Sequence, residues 1–156
     1  MKILVLNGPN LNLLGRREPE VYGTMTLDDL NRSIGRYAHE ELDPLRSNDD
    51  EIDLSFYQTN HEGQLVDVLQ NAPRLYDGVV YNPAGHTHYS IALRDAIAAI
   101  PTPVVEVHLS DIEAREDFRK ISVMTDVCIA QFKGEGEKSY HKAVAFLVDF
   151  LDKTAK

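Results

Sequence analysis

Leu4-Val5-Leu6-Asn7-Gly8-Pro9-Asn10-Leu11-Asn12-Leu13-Leu14-Gly15-Arg16-Arg17-Glu18-Pro19-Glu20-Val21-Tyr22-Gly23 is the stretch on which the reading of this chain turns. Its start extends an almost wholly apolar run, Lys2 to Asn7. Such a run predicts a strand buried on both faces, and strands of that kind belong to parallel sheets covered by helices. The run then breaks into three Gly and two Pro between Gly8 and Gly23, which forbid a regular element. A loop of this length inside a compact domain is either functional or disordered. This one carries two arginines and a tyrosine. A free tyrosine is ionised to roughly one part in a thousand at pH 7, and a neighbouring guanidinium favours the phenolate. Arg17 and Tyr22, five residues apart, are candidates for such a pair. A surface ion cluster beside a tyrosine packed over the sheet edge is the other reading of the same spacing.

Outward from this stretch, helical and strand patterns alternate. Thr26, with Asp29 three residues on, reads as an N-cap, and Leu27, Leu30, Ile34, Tyr37 and Ala38 recur at helical spacing. That helix is predicted to end before Asp43-Pro44, with Arg46 to Glu51 as an exposed polar loop. Ile52, Leu54 and Phe56 alternate with polar residues in a second strand ending near Gln58. Asn60 is predicted to cap a second helix that Ala72-Pro73 stops. Gly78 to Asn82 is a third strand, followed by a helix through Ile91, Ala92, Asp95 and Ala96 that Pro101 and Pro103 end. Val104 to His108 is the fourth strand. Ser110 with Glu113 suggests a capping box and a short helix toward Phe118. Val127 to Phe132 is the fifth strand, and Ser139 to about Lys153 the last helix, with Tyr140, Ala143, Val144, Leu147, Phe150 and Leu151 as its apolar stripe. Five strands alternating with five helices predict an α/β fold, a parallel sheet with helices on both faces. The flavodoxin-like order 2-1-3-4-5 is the expected arrangement, in a single domain over 1–156.

Composition narrows the function. At 156 residues with a net charge of −9, the chain lacks the basic balance a nucleic-acid partner calls for. A local arginine cluster can still hold a small anionic substrate. No apolar run approaches the roughly 18 residues of a membrane span. The one cysteine, Cys128, allows no internal disulfide and fits a reducing compartment. Met1-Lys2 leads straight into a strand, with no signal peptide to be read. Cytoplasmic location, with neither membrane nor nucleic-acid partner, is expected.

Ligands of open parallel sheets bind beyond the carboxyl ends of the strands, and there the amides and imidazoles gather. Asn7 and Asn10 follow strand one; Gln58, Asn60 and His61 follow strand two. Asn82, His86 and His88 follow strand three. Glu106 and His108 close strand four, with Ser110 just after. No phosphate-binding loop is present: Gly134-Glu135-Gly136-Glu137-Lys138-Ser139 is too short and too acidic. A receiver domain would need acids where Asn7-Gly8-Pro9-Asn10 stands. His86 and His88 are spaced for a metal, but no cysteine or acid completes a ligand set, and no metal is expected. His39 and His141 read as solvated. His108 is the sharper candidate. It ends a buried strand two residues after Glu106, where an imidazole can act as general acid or base. By fold alone, a flavin- or anion-binding module without catalysis remains the alternative.

Six ordered motifs together resemble the type II dehydroquinases (3-dehydroquinate dehydratases) over nearly the whole chain. They are Asn7-Gly8-Pro9-Asn10-Leu11; Leu14-Gly15-Arg16-Arg17-Glu18-Pro19 with Tyr22-Gly23; Gln58-Thr59-Asn60-His61-Glu62-Gly63; Asn82-Pro83-Ala84-Gly85 with Thr87-His88; Ala92-Leu93-Arg94-Asp95-Ala96; and Glu106-Val107-His108-Leu109-Ser110 with Arg115-Glu116 and Phe118-Arg119. Asp43 to Asp53 is longer and more acidic than the family pattern, and Lys133 to Lys138 more charged. The resemblance implies reversible anti elimination of water from 3-dehydroquinate through an enolate, in the shikimate pathway of aromatic amino-acid biosynthesis, with no cofactor. It makes Tyr22 the base as phenolate, assisted by Arg17. Asn10 holds the water that stabilises the enolate oxygen. His108 protonates the departing hydroxyl, with Glu106 orienting its ring. Asn82, His88 and Arg119 bind substrate hydroxyls, and the backbone amides of Leu109 and Ser110 its carboxylate. The loop from Leu14 to Tyr22 closes as a lid. The resemblance also implies a homododecamer built of four trimers, in which Asp95 completes a neighbour's site.

Overall fold

The computed structural model describes residues 1–16, 24–46 and 50–154. Arg17 and Tyr22 lie outside the described residues. Five parallel strands form one sheet: β1 Lys2–Asn7, β2 Asp53–Gln58, β3 Gly78–Asn82, β4 Val104–Val107 and β5 Ala130–Phe132. Their spatial order is β2-β1-β3-β4-β5, with β1 paired to both β2 and β3. This is the flavodoxin-like order predicted from the alternation. Among the described residues, four α-helices cover the sheet: α1 Leu27–Tyr37, α2 Glu62–Leu75, α3 Ile91–Ala98 and α4 Glu137–Thr154.

The period of two along each strand divides the core into two layers. Ile3 and Val5 of β1, Val80 of β3, and Val105 and Val107 of β4 pack with Leu30 and Ile34 of α1 and with Tyr140, Ala143, Val144 and Leu147 of α4. Leu4, Leu6, Val79, Tyr81 and Val104 face the other way, against Leu65 and Leu69 of α2 and Leu93, Ala96 and Ile97 of α3. Cys128 packs against this second layer. Burial, and then the Glu106 charge, push its thiol well above the usual cysteine value. No helix among the described residues is long and apolar enough to cross a membrane.

Several boundaries depart from the sequence reading, each for a local reason. The Thr26 cap is a full capping box: Asp29 N–H donates to Thr26 Oγ1 at 3.1 Å, and Thr26 N–H to Asp29 Oδ2 at 3.1 Å. Arg46 is not part of an exposed loop. Its guanidinium is 6% exposed and grips Asp152 of α4 through two bonds of 2.9 and 3.0 Å. Asn60 does not cap α2. His61 holds the N-cap position without a side-chain bond, and the Asn60 side chain instead accepts from Asn10 N–H at 2.9 Å. Pro73 does not stop α2, which runs on to Leu75: the ring costs one i→i−4 bond, to Leu69 O, and Tyr76 N–H still closes the last turn onto Ala72 O. The Ser110 capping box does not form. Asp111 caps a single 3₁₀ turn, Ile112–Ala114, and a second turn, Asp117–Arg119, follows. The short α-helix predicted from Ser110 toward Phe118 is thus replaced by single turns. β5 keeps only three residues. His141 is not solvated: it stacks on Tyr37 with centroids 4.4 Å apart, and Ser33 Oγ lies 3.0 Å from its ring nitrogen.

Candidate active site

The strand ends do converge. A cavity of about 170 Å³ opens at the carboxyl edge of the sheet, between the loops that follow β1, β3 and β4. Its floor depends on Gly8. Gly8 N–H donates to Asn82 O at 2.8 Å, and a Cβ at this glycine would stand 2.7 Å from Pro83 O. Only a residue without a side chain lets the two loops approach this closely. Asn10, just beyond, adopts a left-handed φ of 67°, which asparagine tolerates, and lines the cavity. At the rim, a Cβ on Gly15 (φ 78°) would meet Thr24 O at 2.8 Å. Gly15 and Thr24 are therefore neighbours in the described structure.

His108 stands on the cavity wall, and its ring is held from behind. His108 Nε2 donates to Glu106 Oε1 at 2.7 Å. Glu106 has no exposed surface. It also accepts from Ser122 Oγ at 2.6 Å and from Thr125 Oγ1 at 2.8 Å. Burial opposes ionisation of this carboxyl. The hydrogen bonds and the charge of His108, with those of Ser122 and Thr125, outweigh it and hold the group below the usual glutamate value. With Nε2 donating to this carboxylate, Nδ1 is the ring nitrogen left for a substrate. That arrangement suits an acid–base imidazole.

Positive and amide groups complete the wall. His88 Nδ1 donates to Ile121 O at 2.8 Å, so Nε2 is its free acceptor. Burial pushes its imidazole below the usual value; the Ile121 carbonyl opposes the fall and the Arg119 charge adds to it. Arg119 lies 3.2 Å from Glu116 and packs over the Phe118 ring at 5.0 Å. Asn82 is 4% exposed and has its oxygen tied to Ala84 N–H at 3.0 Å. Among the described residues, the backbone N–H groups of Leu109 and Ser110 donate to no other group, which leaves them for an anion. The helix-dipole support expected for them is absent, because only a single 3₁₀ turn follows.

The sequence model of the class II dehydroquinases matches residues 1–148. The chain belongs to that family. It is 52% identical over 145 residues to the 3-dehydroquinate dehydratase of Bacillus pumilus, covering 93% of this chain and 92% of that protein. A 3-dehydroquinate dehydratase of Anoxybacillus flavithermus is 46% identical over 156 residues, covering 100% of this chain and 99% of that protein. The crystal structure of type II dehydroquinase from Butyrivibrio crossotus superposes with a TM-score of 0.86 at 43% identity, over 95% of this chain and 97% of that one.

Set beside the dehydroquinase expectations, Asn10, Asn82, His88, His108, Leu109, Ser110 and Arg119 all line one cavity, with Glu106 directly behind His108. Asp95 does not join them. Its carboxylate is 68% exposed on α3, with Arg94 3.8 Å away. His86 is not paired with His88 for a ligand. It is 7% exposed and sits edge-on to Tyr89. Sequence reading missed Arg115, a second arginine on the wall. Its signal was available: it stands four residues before Arg119 in the same charged run. It also missed Ser122 and Thr125, whose role shows only once the chain folds back against Glu106.

Proposed function

We propose that this chain is a hydro-lyase converting 3-dehydroquinate reversibly to 3-dehydroshikimate, within the shikimate pathway. The observation that carries the reading is the buried Glu106–His108 pair opening onto a cavity walled by Asn82, His88, Arg115 and Arg119. The relatives named above bear the corresponding name.

The reaction removes a proton from the carbon beside a ketone and then expels a hydroxyl. Tyr22 takes the proton as phenolate. Bringing a tyrosine from about 10 to near 7 needs roughly 4 kcal/mol of differential stabilisation, which Arg17 supplies in a site closed to water. Asn10 holds a water on the enolate oxygen. His108 then gives its Nδ1 proton to the leaving hydroxyl, while Glu106 fixes the ring and stabilises the imidazolium. Asn82, His88 and Arg119 hold the substrate hydroxyls, and the free N–H groups of Leu109 and Ser110 its carboxylate. Segment 14–22 closes over the bound substrate. The working unit is a single catalytic domain assembled into a cytoplasmic homododecamer of four trimers. Across each trimer contact, Asp95 serves a neighbour's site. Asp95 sits on α3 with its carboxylate 68% exposed and outside the cavity lining, poorly placed for its own site.

The test is direct. Purified protein given 3-dehydroquinate should develop the ultraviolet absorbance of the enone product. Tyr22→Phe should lose turnover by several orders of magnitude while still binding substrate. A wild-type protein that leaves the substrate unchanged would refute the reading.

A further inference from the structure

We propose that Tyr140 is a positioning residue for the cavity: through a buried hydrogen-bond chain it fixes the Asn82 carboxamide so that Asn82 offers the substrate an N–H donor. The proposal rests on the dehydroquinase reading above.

Three buried polar side chains from three elements meet in the layer between the sheet and α4. They are Asn7 at the end of β1 (1% exposed), Asn82 at the end of β3 (4%) and Tyr140 on α4 (0%). The direction of the chain is set at the Asn82 end. Ala84, held at a left-handed φ of 53°, turns its N–H back onto Asn82 Oδ1 at 3.0 Å. An N–H needs an acceptor, so the oxygen of the carboxamide is assigned by the backbone. The nitrogen must then face Tyr140, and Asn82 Nδ2 donates to Tyr140 Oη at 2.7 Å. The phenol oxygen, accepting there, sends its own proton to Asn7 Oδ1 at 2.7 Å. Burial pushes the Tyr140 hydroxyl well above the ordinary tyrosine value and so keeps that proton in place.

Two observations make this more than core filling. The helical neighbours of Tyr140 on the same face, Ala143, Val144 and Leu147, are apolar, and a phenylalanine would fill the same volume. Asn7 keeps a buried Nδ2 with no partner among the described residues. A donor left unmade in the core is costly, so an aliphatic residue would suit the position better unless the oxygen of Asn7 is needed. Its oxygen is the acceptor that fixes the Tyr140 proton. The outcome is one remaining hydrogen on Asn82 Nδ2, on the cavity wall, with rotation of the carboxamide blocked at both ends.

The experiment is a double-mutant cycle on 3-dehydroquinate turnover with Tyr140→Phe and Asn82→Ala. Tyr140→Phe should raise KM about tenfold, with a smaller change in kcat, because a binding donor has lost its orientation. In the Asn82→Ala background, the same change should alter KM by less than about twofold. A hydroxyl that serves only packing would act by the same factor in both backgrounds, and that result, or an unchanged KM in the single variant, overturns the proposal. If Tyr140→Phe does not fold, Asn7→Ala removes the acceptor of the phenol proton and goes through the same cycle with the same expectations. Wild-type protein without turnover overturns the dehydroquinase reading and this inference with it. Wild-type turnover with equal factors overturns this inference alone.

Discussion

His108 is held by a carboxylate that no solvent reaches. Glu106 collects three hydrogen bonds, from His108, Ser122 and Thr125. Glu106→Gln keeps the shape but removes the charge, and its amide nitrogen must face one of three donors. We expect kcat to fall about a hundredfold or more, with cooperative unfolding retained. A kcat within twofold of wild type would show that the carboxylate is not what makes the imidazole work. At this scale much was legible. The spacing of a histidine two residues after a glutamate at a buried strand end pointed to the Glu106–His108 pairing that the structure shows. The polar residues at strand ends fell together because the parallel topology brings all carboxyl ends to one edge. What sequence could not show was contact made across long intervals. Thr125 meets Glu106 from 19 residues on, and Tyr140 meets Asn7 from 133 residues on. Neither spacing has a period.

Elements with a strong repeat were read nearly to the residue. β1 and β3 matched at both ends because unbroken apolar runs end at asparagines. α1 began at Thr26 because a capping box has a fixed spacing. The segment after β4 was misread for the opposite reason. Ser110 and Glu113 carry the right letters, but Asp111 satisfies Glu113 N–H at 3.0 Å first, and no continuous apolar stripe follows to stabilise a longer helix. Arg46 was misread because polar composition alone does not reveal an ion pair. Its fork onto Asp152 ties the loop before β2 to the last turn of α4. Arg46→Ala should lower stability by about 2 kcal/mol, since a nearly buried, bidentate charged bond is lost. Urea unfolding would measure it. A loss below about 0.5 kcal/mol would place the pair among ordinary surface ion pairs. Activity per folded molecule should not change.

For the whole molecule, pH is the sharpest probe. Burial holds the imidazoles of His86, His88 and His141 below the usual value. At His141 the Glu137 charge opposes this, and at His86 the Glu62 charge does. Unfolded, these groups take up protons as pH falls through about 6.5. Folded, they do so only at lower pH. The unfolded state therefore binds more protons in that window, and stability must decline as pH falls below it. Glu106 adds a second loss farther down, as pH passes the lowered value of its folded carboxyl. Thermal midpoints from pH 7 to pH 5 should fall, and His141→Phe should make the first part of the decline shallower. A flat profile would mean the three rings protonate in place. Assembly is tested by refolding inactive Tyr22→Phe with weakened Asp95→Ala. If Asp95 acts across an interface, mixed oligomers gain activity above the sum of the parents. If mixed oligomers form and activity stays at that sum, it does not.

Cys128, the single cysteine of the chain, packs against the α2–α3 layer with its thiol held protonated. Thiol-directed dyes react with the thiolate, so burial slows their reaction at Cys128. A cysteine introduced at the exposed Thr24 position would label faster. A fluorophore there, at the edge of the segment that carries Arg17 and Tyr22, would test whether that segment responds to substrate without removing any native residue first.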